Sequence, residues 1–169
     1  MKITLQKFQE NDAPVLAELA NKQEIALNMT DGFPHPYTLG NAQQFISHHA
    51  SLNPTQVLGV FYEGKLAGAI GLFPQNDIWK RNAELGYWLG INYQRKGIMP
   101  LAIQHRVESG FVDWPELNRI FARPFGRNFA SRKVLEKCGF VLEACIPSNI
   151  WKNNRWEDEC IYAIRRKNV

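Results

Sequence analysis

Residues 84–99, ELGYWLGINYQRKGIM, begin as an aromatic strand and end in two basic residues, a glycine and what reads as the first turn of a helix. A chain turning from strand to helix start presents backbone N–H groups and a partial positive charge, which hold an anion without a dedicated lysine. Gln94, Arg95, Lys96, Gly97, Ile98 and Met99 occupy that junction. Arg95 and Lys96 add charge, and Gly97 permits close approach of a ligand to the backbone. The same residues also suit an ordinary connection that binds nothing, so the stretch by itself leaves the choice open.

Downstream, apolar residues at 98, 101, 103, 107, 111 and 114 are mostly three or four apart, which predicts an amphipathic helix with Pro100 in its first turn. Upstream, QVLGVFY (56–62) and KLAGAIGLF (65–73) flank Glu63 and Gly64 as an antiparallel hairpin, and AELGYWLG (83–90) is a third strand. KITLQKF (2–8) alternates with period two. Asn11 and Asp12 are placed to cap a helix carrying Val15, Leu16 and Leu19, and Thr38 precedes a second helix with Ala42, Phe45 and Ile46; the loop DGFPHPYT (31–38) separates them.

Toward the C-terminus, RIFARPF (119–125) reads as a strand and NFASRKVLEKCGF (128–140) as a helix capped by Asn128 and stopped by Gly139. FVLEACI (140–146) and NIWKNNRWEDECIYAI (149–164) then supply three strands, the last two joined at Asn153 and Asn154, which tolerate positive φ. The order is strand, two helices, three strands, helix, strand, helix, three strands: an α/β chain with a mixed sheet covered by helices.

The length of 169 residues predicts a single domain over 1–169. Hydrophobic residues at 45% and charged residues at 21% exclude a disordered chain. A net charge of +4 suits an anionic ligand. Arg119, Arg123, Arg127, Arg132 and 165–167 form basic clusters, but no nucleic-acid reading motif accompanies them, so no nucleic-acid partner is expected. Neither GxxxxGK[ST] nor a helix-opening GxGxxG occurs, which argues against a nucleotide triphosphatase or a dinucleotide oxidoreductase. Cys138, Cys145 and Cys160 include no CxxC and leave one unpaired in any disulfide scheme, as expected of a reducing compartment. MKITLQKF lacks the apolar core of a signal peptide or membrane span, which makes the cytoplasm the expected location.

Taken in order, FPHPYT, AELGYWL, YQRKGIM, NFASRKVLEKCGF and the C-terminal WED segment make the chain resemble the GCN5-related N-acetyltransferase (GNAT) family, closest to its ribosomal-protein N-terminal acetyltransferase branch. The resemblance runs from residue 2 to about 165. It implies a mostly antiparallel mixed sheet with a splayed central strand pair and helices on both faces. It also implies acetyl-CoA as cosubstrate, no metal, no membrane partner, and a monomer or homodimer. The implied acceptor is a primary amine: a protein or peptide α-amine, a ribosomal protein's included, or a small-molecule amine. A nonenzymatic acetyl-CoA-binding module is the alternative.

By the same resemblance the strand at 84–89 splays from that at 119–125, and the backbone of Tyr87, Trp88 and Leu89 receives pantetheine. The amides of 95–99 meet the pyrophosphate. Asn128 bonds the pantetheine arm, and Arg132 or Lys133 reaches a CoA phosphate. Met99 stands where many members have Gly or Ala, and Pro100 replaces an N–H donor.

For chemistry, Glu84 occupies the position of the family's frequent catalytic glutamate, where it takes the amine's proton through water or instead pairs with Arg81 or Lys80. The tyrosine that many members use to protonate the thiolate is Leu135 here, so Ser131, one turn earlier on that face, is the remaining candidate beside a capping or packing role. Cys138 shares a face with Ala130 and Val134, which predicts packing. His48 and His49 are adjacent on a helix and expected to point apart; His35 and His105 lie in unrelated segments, so no metal site is expected. Trp79, Trp151 and Trp156 read as core, and Trp88 as the exception that lines an acceptor groove.

Overall fold

The computed structural model describes residues 2–167. Its strands are β1 (Ile3–Gln6), β2 (Val57–Tyr62), β3 (Lys65–Pro74), β4 (Asn82–Leu89), β5 (Arg119–Ala122), β6 (Val141–Lys152) and β7 (Arg155–Arg165). Its helices are α1 (Ala13–Ala20), α2 (Gln23–Ala26), α3 (Leu39–Ala50), α4 (Ile98–Asp113) and α5 (Phe129–Lys137). The strands form a mixed, mostly antiparallel sheet ordered β1-β2-β3-β4-β5-β7-β6. Backbone packing groups the chain into two units. One takes the described residues up to Gly71 with Tyr87–Arg106; the other takes Leu72–Gly86 with the described residues from Val107 on.

In the first unit, Glu63 and Gly64 adopt φ of 49° and 80°. Two successive left-handed residues make the tight turn that suits the twist of β2 and β3. β1 and β2 pair antiparallel from Ile3↔Tyr62 to Gln6↔Gly59. Leu16 and Ala20 of α1, Ala42 and Ile46 of α3, and Phe8, Val57 and Leu66 form one buried cluster, as the apolar periods of both helices require. Thr38 caps α3 by accepting from the Asn41 amide at 3.2 Å. Asp12 differs from the expected cap: it precedes α1, but its carboxylate accepts from the Gln9 amide at 2.8 Å and makes no cap bond to α1. The single turn α2 was not expected, because four residues are too short to show a helical period.

In the second unit, β4 and β5 run parallel but register over three pairs, Asn82↔Arg119 to Glu84↔Phe121, while β4 continues to Leu89. β7 pairs antiparallel with β5 on one side and β6 on the other. β6 is one strand of 12 residues where the sequence suggested two, which brings the expected eight strands to seven. Its register shifts between Leu142 and Ala144 and again between Ile146 and Ile150. Pro147 and the left-handed Ser148, whose amide donates to Asp158 at 2.9 Å, lie in the second shift. Such bulges absorb extra residues without ending a strand. Asn153 and Asn154, at φ 51° and 57°, make the hairpin turn, and Gly139, at φ 84°, stops α5 as expected. Among the described residues no helix is long and apolar enough to cross a membrane.

Gly68 on β3 is required by its neighbour, since a Cβ there would meet the Trp88 carbonyl oxygen at 2.2 Å and Leu89 Cα at 2.9 Å. Both obstacles are backbone and cannot swing aside. Gly68→Ala is therefore expected to destabilise the protein by about 1–3 kcal/mol or more, the usual scale of overpacking, read from the urea midpoint; an unchanged midpoint would contradict this close approach.

Candidate active site

In the first unit the C-terminal end of β4 leads into the loop. Tyr87 and Trp88 are half-buried and Leu89 is buried. The Trp88 ring meets Phe33 edge-on at 6.1 Å, and Phe33 leans on Tyr37 at 5.1 Å. The Tyr37 amide donates to Asn21 Oδ1 at 3.0 Å, which ties the FPHPYT loop to the end of α1. Trp88 is thus packed against the FPHPYT loop. Burial raises the Tyr37 hydroxyl pKa above its ordinary value.

Beyond β4, Gln94 donates its side-chain amide to the Leu89 carbonyl at 3.1 Å and fastens the loop to the strand. Arg95 and Gly97 take φ of 60° and 73°, with Lys96 between them on the ordinary side. This left–right–left alternation turns successive backbone N–H groups toward one concavity. The 16 residues of α4 then begin at Ile98, so helix N–H groups and helix dipole point the same way. Arg95, Lys96 and Gly97 are exposed, whereas Ile98 and Met99 are buried at 1% and 6%. Met99 therefore turns its side chain into the core and does not narrow the loop. Pro100 falls among the helix positions whose N–H has no intrahelical partner in any case.

In the second unit, Arg119 and Phe121 share one face of β5, and Arg123, just past the strand's end, joins them, with both guanidiniums over the Phe121 ring. Arg123 grips Glu84 with both arms, Nε to Oε1 at 3.0 Å and Nη2 to Oε2 at 2.9 Å. Its Nη1 lies 3.6 Å from Glu159, which also accepts from Asn149 at 2.7 Å. The hydrogen bond to Glu84 is the chief cause raising the Arg123 guanidinium pKa above its ordinary value. The partner of Glu84 is thus Arg123, which replaces the expected Arg81 or Lys80. Those two are near in sequence, but Arg123 reaches Glu84 from just beyond the end of the paired strand β5.

The other arginines of the basic clusters are also engaged. Arg119 and Arg165 both pair with Glu143 at 2.6 Å, and Arg127 and Arg155 pair with Glu157 at 2.9 and 2.7 Å.

On α5, Asn128 caps the helix by accepting from the Ser131 amide at 3.1 Å, and Ser131 is half-buried. Arg132 donates to the Gly126 carbonyl at 2.9 Å and the Tyr162 hydroxyl at 3.1 Å, so its head group is held within the unit. Tyr162 in turn donates to Glu136 at 2.8 Å. Leu135 is fully buried and serves packing. Cys138 is half-buried, and burial raises its thiol pKa.

Two expectations change. The rings of His48 and His49 lie 4.9 Å apart, edge to face, near the C-terminal end of α3. Trp79, Trp151 and Trp156 are 61%, 54% and 61% exposed and are not core. Among the described residues no group of three or more His, Cys, Asp or Glu is placed to hold a metal ion.

The profile of the acetyltransferase (GNAT) domain matches residues 2–141. The chain belongs to the GNAT acetyltransferase family. Membership makes it an acetyl-CoA-dependent N-acetyltransferase, an acyltransferase on the mixed sheet described above. YdaF of Bacillus subtilis strain 168, which carries a provisional name as a ribosomal N-acetyltransferase, is 28% identical over 98% of this chain and 92% of its own. The ribosomal-protein-serine acetyltransferase of Escherichia coli K12 is 32% identical over 62% of this chain and 57% of its own. The crystal structure of the microcin C7 self-immunity acetyltransferase MccE, in complex with acetyl-CoA and AMP, superposes with a TM-score of 0.81 at 26% identity, covering 98% of this chain and 93% of that one. The GNAT protein's own loop at 94–99 fits a pyrophosphate: two left-handed residues, an exposed glycine and a long helix start supply donors without a side chain in the way.

Glu143 gives the site's face an acid limit. Hydrogen bonds from Arg119, chiefly, and Arg165 hold its carboxyl pKa below the ordinary 4.5. A depressed carboxyl contributes stability that is fully present above the unfolded pKa and lost as pH falls through the folded one. The urea midpoint should therefore fall on acidification below 4.5, and Glu143→Gln should make that fall shallower; an identical acid limb in both proteins would contradict the assignment.

Proposed function

We propose that this GNAT protein moves acetyl from acetyl-CoA to the α-amino group of a protein or peptide, by direct attack of the amine on the thioester. The carrying observation is the two-armed grip of Arg123 on Glu84. A carboxylate with both oxygens engaged by a guanidinium is held in one orientation. Such a group has least proton removal to perform when the acceptor loses its proton easily. An α-amine, with a reference pKa of about 7.7–8.0, meets that condition far better than lysine at about 10.4. The names of YdaF and of the E. coli ribosomal-protein-serine acetyltransferase support the same acceptor class.

Acetyl-CoA supplies an activated acetyl group and a thiolate that leaves readily. The chain's residues bind and orient. The amides of 95–99, with Gln94 fixing the loop to Leu89, take the pyrophosphate, and the backbone of Tyr87, Trp88 and Leu89 takes the pantetheine amides. Asn128 and Arg132 are included in the cofactor set by family resemblance alone, since both are engaged at the start of α5. Glu84 receives the amine's proton through water and keeps its orientation through Arg123. Ser131 is the candidate proton donor to the thiolate. A thiolate with a pKa near the 8.5 of free cysteine also leaves unaided, so Ser131→Ala is expected to retain activity. The FPHPYT loop against Trp88 shapes the acceptor side, and the whole chain acts as one cytoplasmic catalytic domain. Buried Leu135 favours a second reading, a module that binds acetyl-CoA without turnover.

Thiol release from acetyl-CoA is measured with three acceptors: a free N-terminal peptide, the same peptide blocked at its N-terminus but carrying lysine, and a polyamine. The free α-amine peptide should dominate. Preference for lysine or polyamine would overturn the acceptor, and acetyl-CoA binding without thiol release from any amine would favour the module. Glu84→Gln should lower turnover most below the amine's own pKa, where free amine is scarce; an unchanged pH profile would remove Glu84 from the proton path.

A further inference from the structure

The β6–β7 hairpin registers Cys145 directly opposite Cys160. The Cys160 amide donates to the Pro124 carbonyl at 3.0 Å, away from β6. A residue whose N–H turns from its neighbour belongs to a non-hydrogen-bonded antiparallel pair, where Cα atoms approach to about 4.5 Å and side chains lie closest. A disulfide spans Cα separations of about 4.4–6.8 Å, so this position needs no backbone movement to be bridged. The two sulfurs are 2.6 Å apart, and both cysteines are free thiols. Cys145 is exposed and Cys160 fully buried, which gives the pair one accessible and one protected sulfur. The remaining cysteine, Cys138, sits half-buried near the end of α5.

We propose that Cys145 and Cys160 form a reversible dithiol–disulfide modification site that takes low-molecular-weight disulfides as its oxidant. Cys145 starts the exchange: its thiolate attacks one sulfur of the small disulfide, the S–S bond breaks, and one small thiol leaves with a proton from solvent. Cys160 then loses its proton to solvent, attacks Cys145 Sγ and expels the second small thiol. Two cysteine thiols and one small disulfide thus become one internal disulfide and two small thiols. Burial and the hydrogen bond to Cys145 raise the Cys160 thiol to about 11, so the buried sulfur waits as the resolving partner while the exposed one attacks. A thiol pair of this kind is compatible with a reducing compartment, where disulfides form transiently.

The test incubates the folded wild-type protein with glutathione disulfide and reads intact mass and titratable thiols, before and after dithiothreitol. The expected product is lighter by two hydrogen atoms, carries no glutathione, keeps one of the three thiols and returns to the starting mass on reduction. Cys138→Ser should behave as wild type, Cys145→Ser should resist oxidation, and Cys160→Ala should stop at one attached glutathione. Three intact thiols in the wild type, a stable glutathione adduct, or an internal bond that survives in Cys145→Ser would overturn the proposal.

Discussion

The shortness of the parallel ladder between β4 and β5 is the constraint on which the functional half of the fold depends. Three registered pairs end at Glu84↔Phe121, and β4 runs on to Leu89. A strand's peptide groups must find partners. Past Glu84, the far end of β4 lies tightly against Gly68 of β3 and ties Gly90 to the Ala67 carbonyl at 2.8 Å. The last ladder pair also sets the ionic arrangement. Glu84 stands opposite Phe121, two residues before Arg123, within reach of a guanidinium that closes on both carboxylate oxygens.

That pair explains how one strand serves two purposes. Its first half carries a carboxylate of fixed orientation, and its second half leads into a loop of backbone donors. Arg123 is 47% exposed at its side chain, so the pair's value lies less in stability, where exposed ion pairs contribute little, than in holding Glu84 in one direction. Glu159 and Asn149 extend the same arrangement into the β6–β7 hairpin.

Features written in neighbouring residues were legible in the sequence: the turns at 63–64 and 153–154, the Asn128 cap, the Gly139 stop, and the helix beginning at Ile98. Each rests on local backbone preference, which a short window contains. Interactions that span the chain were not. Glu84 and Arg123 are 39 residues apart, and Arg119 and Glu143 are 24 apart. The alternation of Arg119 and Arg123 in the 119–123 segment was visible and suggested a shared basic face, but the carboxylates that pair with them come from other strands. The unity of β6 was hidden for a related reason, since Pro147 and Ser148 look like a break unless the partner strand is seen to absorb them as a bulge. Cys145 and Cys160 likewise become a pair only once the hairpin register is known.

The central claim is that backbone amides at the start of α4, and not basic side chains, hold the pyrophosphate of acetyl-CoA. It is tested most directly by titrating the ¹⁵N-labelled protein with CoA and following the amide signals of Lys96, Gly97, Ile98 and Met99. Large, saturable shifts at these four amides that persist in the Arg95→Gln, Lys96→Gln double variant are the predicted result. Shifts absent from these amides while CoA binds elsewhere, or lost with the two basic side chains, would contradict it.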